Sequence, residues 1–207
     1  MNLQSREQDG KAILTMLFEV VLIALGVFLG LLANNWHEVR EHREKAQAAL
    51  RNFVGEMETN IQATKRVRDY HETLARELGQ FLQNKEPSSD DRFAKEVHFE
   101  GLRPVIFEHT AWDLALATQA LSYLEPDLAF NISKVYTQQT AFQTFENSFL
   151  TSAFTPASLS SDTMMGLAPA MLIYLREVNQ QEPAIISRYE STIPEVKRAL
   201  AGRKGAL

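Results

Sequence analysis

The chain has 207 residues, no cysteine and a formal net charge of −5. Without thiols it has neither disulfide staples nor thiolate metal sites, and its acidic balance argues against a nucleic-acid partner, which needs a basic face. About 170 residues follow its one long apolar run, enough for one domain with its own core.

Residues 1–11 read as a short polar tail. Residues 12–33, AILTMLFEVVLIALGVFLGLLA, hold one charge, Glu19, and one other polar side chain, Thr15. As a helix this run covers roughly 33 Å, against a hydrocarbon core of about 30 Å. It is apolar nearly all round, whereas a soluble helix is usually shorter and striped on one side. A cleavable leader fits poorly, because its apolar core is shorter and Leu31 and Leu32 stand where small residues belong. The run predicts a transmembrane helix over 12–35 and a lipid bilayer as partner, with Asn34, Asn35 and Trp36 at the membrane interface.

A carboxyl group in hydrocarbon is costly, so Glu19 should face protein or water. Around the helix, Gly26 lies about 20° from Glu19, Gly30 about 20° to the other side and Ala33 about 40° away. Small residues four apart let two membrane helices approach closely. Glu19, Gly26, Gly30 and Ala33 therefore predict a helix-packing seam, for self-association or for a partner membrane helix. Glu19 itself has three readings: a protonated acid making one interhelical hydrogen bond, a member of an ion or proton path shared with another subunit, or a shallow acid reaching the headgroups.

No proline interrupts residues 36–82. Residues 36–49, rich in Glu, Arg and Lys at helical spacing, read as a solvated helical stalk. Leu50, Phe53, Met57, Ile61, Val67, Leu74, Leu78 and Phe81 then form a helical stripe, so the helix from residue 37 to residue 83 becomes the first element of a domain over 50–201. Lysine and arginine flank the span on both sides, and their count leans slightly toward a cytoplasmic C-terminal domain.

Glu19 to Gly26, followed by Asn34-Asn35-Trp36-His37-Glu38-Val39-Arg40, resembles a bacterial family of single-pass membrane proteins of uncharacterised activity. Thr110-Ala-Trp112-Asp113 through Leu121-Ser-Tyr-Leu124 is similar to a later block of that family. The resemblance is closest over the first 60 or so residues and loose thereafter. It implies a bacterial inner-membrane protein with its N-terminus inside and its helical domain in the periplasm. The tail here, with Arg6 and Lys11, is less basic than that family's tails. No activity comes with the resemblance.

Further along, residues 84–91 read as a turn-rich break and residues 90–97 as a short helical piece. Residues 98–104 read as extended loop, because Pro104 disfavours helix at Arg103. Thr110 with Asp113 three residues on signals a helix start, giving a helix of about four turns over 109–124. Pro126 suits the first turn of the next helix, 127–154, whose stripe is Leu128, Ile132, Val135, Phe142, Phe145 and Phe149. Ser160-Ser161-Asp162 opens a last helical region, 161–192, whose apolar stretch is too short to span a membrane. Pro169 and Pro183 should bend or interrupt it, and Pro194 should begin a separate short turn up to Ala201, ahead of a basic tail over 202–207.

Catalytic signatures are missing. His37 and His42 are five apart, where a helical zinc-protease pair needs four, and His71, His98 and His109 stand singly. Phosphate loops, nucleophile elbows and dinucleotide fingerprints do not occur. The sequence thus predicts an all-α protein without a cofactor or metal: one transmembrane helix continuing into an antiparallel bundle of about four helices. The functional expectation is a non-catalytic, membrane-anchored module for protein interaction or sensing, with a pocket or groove lined by Phe and Trp. An accessory subunit of a larger membrane complex, using Glu19 toward a partner helix, and an enzyme with an unrecognised site are the alternatives.

Overall fold

The computed structural model of the chain describes residues 3–153 and 164–204. Every regular element among them is helical: α1 (Leu3–Gln83), α2 (Asp90–Glu96), α3 (Thr110–Ala117), α4 (Pro126–Ala153) and α5 (Ala168–Lys204), with 3-10 turns at Ala120–Tyr123 and Met164–Leu167. The chain divides into two compact units, Met1–Lys45 and Ala46–Leu207.

The first unit is the N-terminal part of α1. Its described side chains are exposed from residue 18 through residue 41, and its most apolar stretch has a mean hydropathy of 1.9. By length and composition it is apolar enough to cross a membrane. From Asn34 onward, polar side chains pair along the helix at the expected spacing: Asn34 donates to Glu38 (2.8 Å), Arg40 to Glu44 (3.0 Å) and Lys45 to Glu41 (2.7 Å).

In the second unit burial begins at Ala46 and Ala49, inside the segment read as stalk. The stripe from Leu50 to Phe81 lies in the core, apart from half-buried Val67. Side-chain contacts fix the helix directions. Glu56 and Asn60 of α1 meet Tyr136 and Gln139 of α4, so these two run parallel. Glu58, Lys65 and His71 meet Lys197, Glu190 and Glu182, so α5 runs antiparallel to α1. Three long helices thus frame the bundle, and α2 and α3 pack on it through Phe93, Ala111 and Ala115.

Three local expectations need correcting. The helix expected over 109–124 stops at Ala117, because Gln119 adopts φ 55°, and only a 3-10 turn follows. Its N-cap is His109 rather than Thr110, without a side-chain cap of its own. Lastly, α5 runs unbroken through Pro183 and Pro194 into residues 202–204. Both prolines occupy exposed positions. Each removes one backbone donor, while buried Ile185, Ile186, Ile193 and Val196 hold the turns around them against the core. Pro169 is in the first turn, where no N–H is needed. The N-terminal tail read over 1–11 is helical from Leu3. The helix start expected at Ser160–Asp162 and the helix end near Pro156 lie outside the described residues.

Candidate functional site: a buried polar cluster under an irregular strap

Residues 97–109, between α2 and α3, have no regular structure, yet Val97, Leu102, Val105 and Phe107 are buried among the helices. Such a strap presents its backbone N–H and C=O groups to a dry interior, where each unmade hydrogen bond is costly. Side chains of the flanking helices supply the partners. Tyr70 donates its hydroxyl to the Gly101 carbonyl (2.7 Å) and accepts from the Glu100 N–H (2.9 Å). Asn60 accepts from the Glu108 N–H (2.8 Å) and donates to the Glu108 carbonyl (2.9 Å), which also takes a bond from Gln139 (2.9 Å). Tyr189 closes this set by donating to Gln139 (2.7 Å).

Glu56 completes the far end. Its carboxyl accepts from the Ala111 N–H (2.7 Å) and from the Tyr136 hydroxyl (2.7 Å). The cap that α3 lacks from its own sequence therefore comes from α1, 55 residues earlier. Two backbone positions of the strap are unusual: Gly101 at φ 92° and Arg103 at φ 49°. Glycine adopts the first freely. Arg103 departs from the extended form expected before Pro104, a conformation disfavoured by about 1–2 kcal/mol. Its guanidinium lies over the Tyr70 ring (4.5 Å) and pairs with Glu100, contacts that offset the strain.

At the centre of the strap the partners are titratable. One ring nitrogen of His71 meets Glu182 Oε1 (2.6 Å) and the other meets the Leu102 carbonyl (2.8 Å). Both neighbours are acceptors, so both nitrogens must donate, and the geometry calls for an imidazolium. Burial alone lowers the His71 pKa, but the hydrogen bond and charge of Glu182, with the Leu102 carbonyl and Glu146 behind them, raise it above the ordinary value. Glu146 accepts from the Val105 N–H (3.1 Å) and the Tyr174 hydroxyl (2.9 Å). Burial dominates its titration and pushes the carboxyl up to about 7, despite these two donors. Tyr174 is held un-ionised well above its ordinary range by burial and by Glu146.

All of these side chains are buried: His71 and Glu182 are 0% exposed and Glu146 is 1% exposed. Nevertheless Glu146 Oε2, Glu182 Oε2 and Asn179 Oδ1 have no hydrogen-bond partner. The His71 imidazole and the Glu146 carboxyl are the groups here that can bind and release a proton, and that is what this cluster can do chemically. Among the described residues, no group of three or more His, Cys, Asp or Glu is placed to hold a metal ion.

Of the residues singled out in the sequence, Glu19, Gly26, Gly30 and Ala33 are exposed, as are Asn34, Asn35 and Trp36. An added Cβ at Gly26 or Gly30 would meet nothing within 4 Å. Trp112 stacks on Tyr136 (5.0 Å between ring centres) and lines an open groove of about 340 Å³ with Tyr136, Thr137, Thr140 and Ala141. Phenylalanines take no part in that lining: Phe142 is in the core, and Phe145 and Phe149 stack on Tyr174. His71, Glu146 and Glu182 were not among the candidates. Their signal is positional, since each is a polar residue on an apolar helical stripe: Val67-His71-Leu74, Phe142-Glu146-Phe149 and Val178-Glu182-Ile185.

The fold and the cluster define a helical bundle with a titratable core. Compared with known proteins, the chain matches no family model, no curated protein and no solved structure.

Proposed function

We propose that the chain is a single-pass protein of the bacterial inner membrane, anchored by residues 12–35, whose helical bundle is a non-catalytic module for protein interaction or sensing. The observation that supports this reading is the exposure of the apolar run. Phe18, Val20, Val21, Leu22, Ile23 and Leu25 are each more than half exposed, and the apolar side chains from Val27 to Leu32 are similarly bare. Burying each large aliphatic or aromatic side chain gains about 1.5–3 kcal/mol, so eleven in water would be strongly unfavourable and a bilayer satisfies them all. The resemblance to inner-membrane proteins supports a periplasmic bundle.

Alkaline carbonate extraction of membranes tests the anchor: the native chain stays with the pellet, and replacing Leu25 and Leu29 by Arg releases it. Native protein in the supernatant would refute the anchor. A C-terminal reporter active only in the periplasm tests the side; activity of a cytoplasmic reporter instead would refute the periplasmic placement.

Glu19 supports a second reading, an accessory subunit of a larger membrane complex. It is an exposed acid within the apolar run, on the side of Gly26 and Gly30, where no atom fills the helix surface. Under this reading Glu19→Gln or Gly26→Leu abolishes stoichiometric co-purification with other membrane proteins. Cross-linking only to a second copy would favour self-association instead.

A further inference from the structure

We propose that His71 is a proton-operated latch: as an imidazolium it ties α5 to the strap, and on losing its proton it lets the strap open at Leu102. The latch lies wholly within residues 46–204 and does not depend on whether the apolar run spans a bilayer.

The first ground is the arrangement of acceptors around the ring. Glu182 Oε1 and the Leu102 carbonyl both need a donated hydrogen, and a neutral imidazole has one N–H. On deprotonation the remaining proton stays toward Glu182, the charged and closer acceptor. The other nitrogen then turns a lone pair on the Leu102 carbonyl, and attraction becomes repulsion. The bond that fails is therefore the one to the strap.

The charge count is the second ground. The ionisable groups facing His71 are Glu182 from α5 and Glu146 from α4; the Tyr70 and Tyr174 rings pack on it, and its own carbonyl accepts from Asn179. No Lys or Arg hydrogen-bonds to His71, Glu146 or Glu182 in the described structure; the positive charges felt here are that of His71, which acts on Glu146, and that of Arg68 on α1, whose guanidinium pairs with Glu72 and also feels Glu182. Losing the protons of His71 and Glu146 removes a positive charge and adds a negative one among the carboxyl groups of a dry core. Water can reach them only if something moves. The strap is the irregular layer over the cluster, bonded to His71 through Leu102 and to Glu146 through Val105, and its backbone is held by side chains of the helices rather than by a helical or strand ladder.

The direction is unusual. Both His71 and Glu146 have folded-state pKa values above their unfolded ones, so the closed form is favoured at acidic pH and loosens as pH rises. A bundle built this way senses protons, closing when its surroundings acidify.

The test is amide hydrogen exchange of the full chain in detergent micelles at pH 6 and pH 9, corrected for the intrinsic pH dependence of exchange. Protection of the segment 101–106 should fall about tenfold or more over that range, while the α4 core around Val135 and Gln139 changes little. In His71→Gln, whose amide donates at one end only and cannot titrate as the imidazole does, protection of the strap should be low at both pH values. Equal protection at both pH values in the native chain would overturn the latch, as would a native-like pH response in His71→Gln. Should that variant not fold, nitrogen-15 shifts of the native His71 ring decide: two protonated nitrogens at pH 6 and one at pH 9 support the latch, and a ring that stays in one state across that range overturns it.

Discussion

Replacing Glu146 by Gln should make the bundle less sensitive to alkali, and the size of the change follows from its surroundings. Gln keeps an oxygen to accept from Val105 and Tyr174 and has no proton to lose. In the native chain the carboxyl is neutral up to about 7, against an ordinary value of 4.5. The unfolded chain therefore releases this proton earlier than the folded one, and stability declines as pH rises from about 4.5 until the folded group has ionised. At 1.36 kcal/mol per unit, the full loss is about 3.4 kcal/mol. A little under 1 kcal/mol of it has gone by pH 5, so about 2.5 kcal/mol separates pH 5 from pH 8.5 through this one group. Urea unfolding followed by circular dichroism at the two pH values measures it. Glu146→Gln should reduce the native chain's decline by about that amount, leaving the part that His71 contributes with the same sign. Parallel pH profiles for variant and native protein would refute the assignment of a buried, neutral carboxyl.

Glu56→Ala should cost about 2–4 kcal/mol in the same unfolding experiment, because it strands the buried Ala111 N–H and Tyr136 hydroxyl together; a loss under 0.5 kcal/mol would mean that α3 does not depend on this cap. Pro183→Ala should stabilise the protein, by up to about 3 kcal/mol, since the exposed proline removes a backbone donor from an unbroken helix. Phe53→Ala, at a fully buried ring touching Trp112 and Tyr136, should lose about 3–5 kcal/mol. Above pH 10 the native protein should show less tyrosinate absorbance than the urea-unfolded chain, because burial holds Tyr136, Tyr174 and Tyr189 un-ionised and stability is lost as pH rises through that range.

The helices were legible where a stripe repeated. Leu50 to Phe81 and Leu128 to Phe142 announce their buried faces, and Pro126 stands at the first helical position of α4. Proline misled where its local cost was outweighed: buried Ile185, Ile186 and Ile193, between Pro183 and Pro194, pin the helix on the core, and a one-dimensional pattern does not weigh tertiary packing against one missing donor. The N-cap of α3 was missed for a similar reason, since its acceptor is Glu56, far away in sequence. The strap hid the polar cluster. A non-helical segment reads as a surface loop, and only its burial turns Asn60, His71, Gln139 and Glu146 from solvated residues into partners for a backbone that has no helix or strand to satisfy it.

The 111 residues between His71 and Glu182 also set the order in which the ribosome delivers this core. The imidazole emerges first, the strap about 30 residues later, and the acid that completes the set comes only with α5. A nascent chain that has not yet produced α5 carries the strap and its apolar side chains with no third helix to close over them. The bundle therefore completes only once α5 has been made, and the contacts that close it join residues far apart in the chain. The last helix is the one that commits the fold.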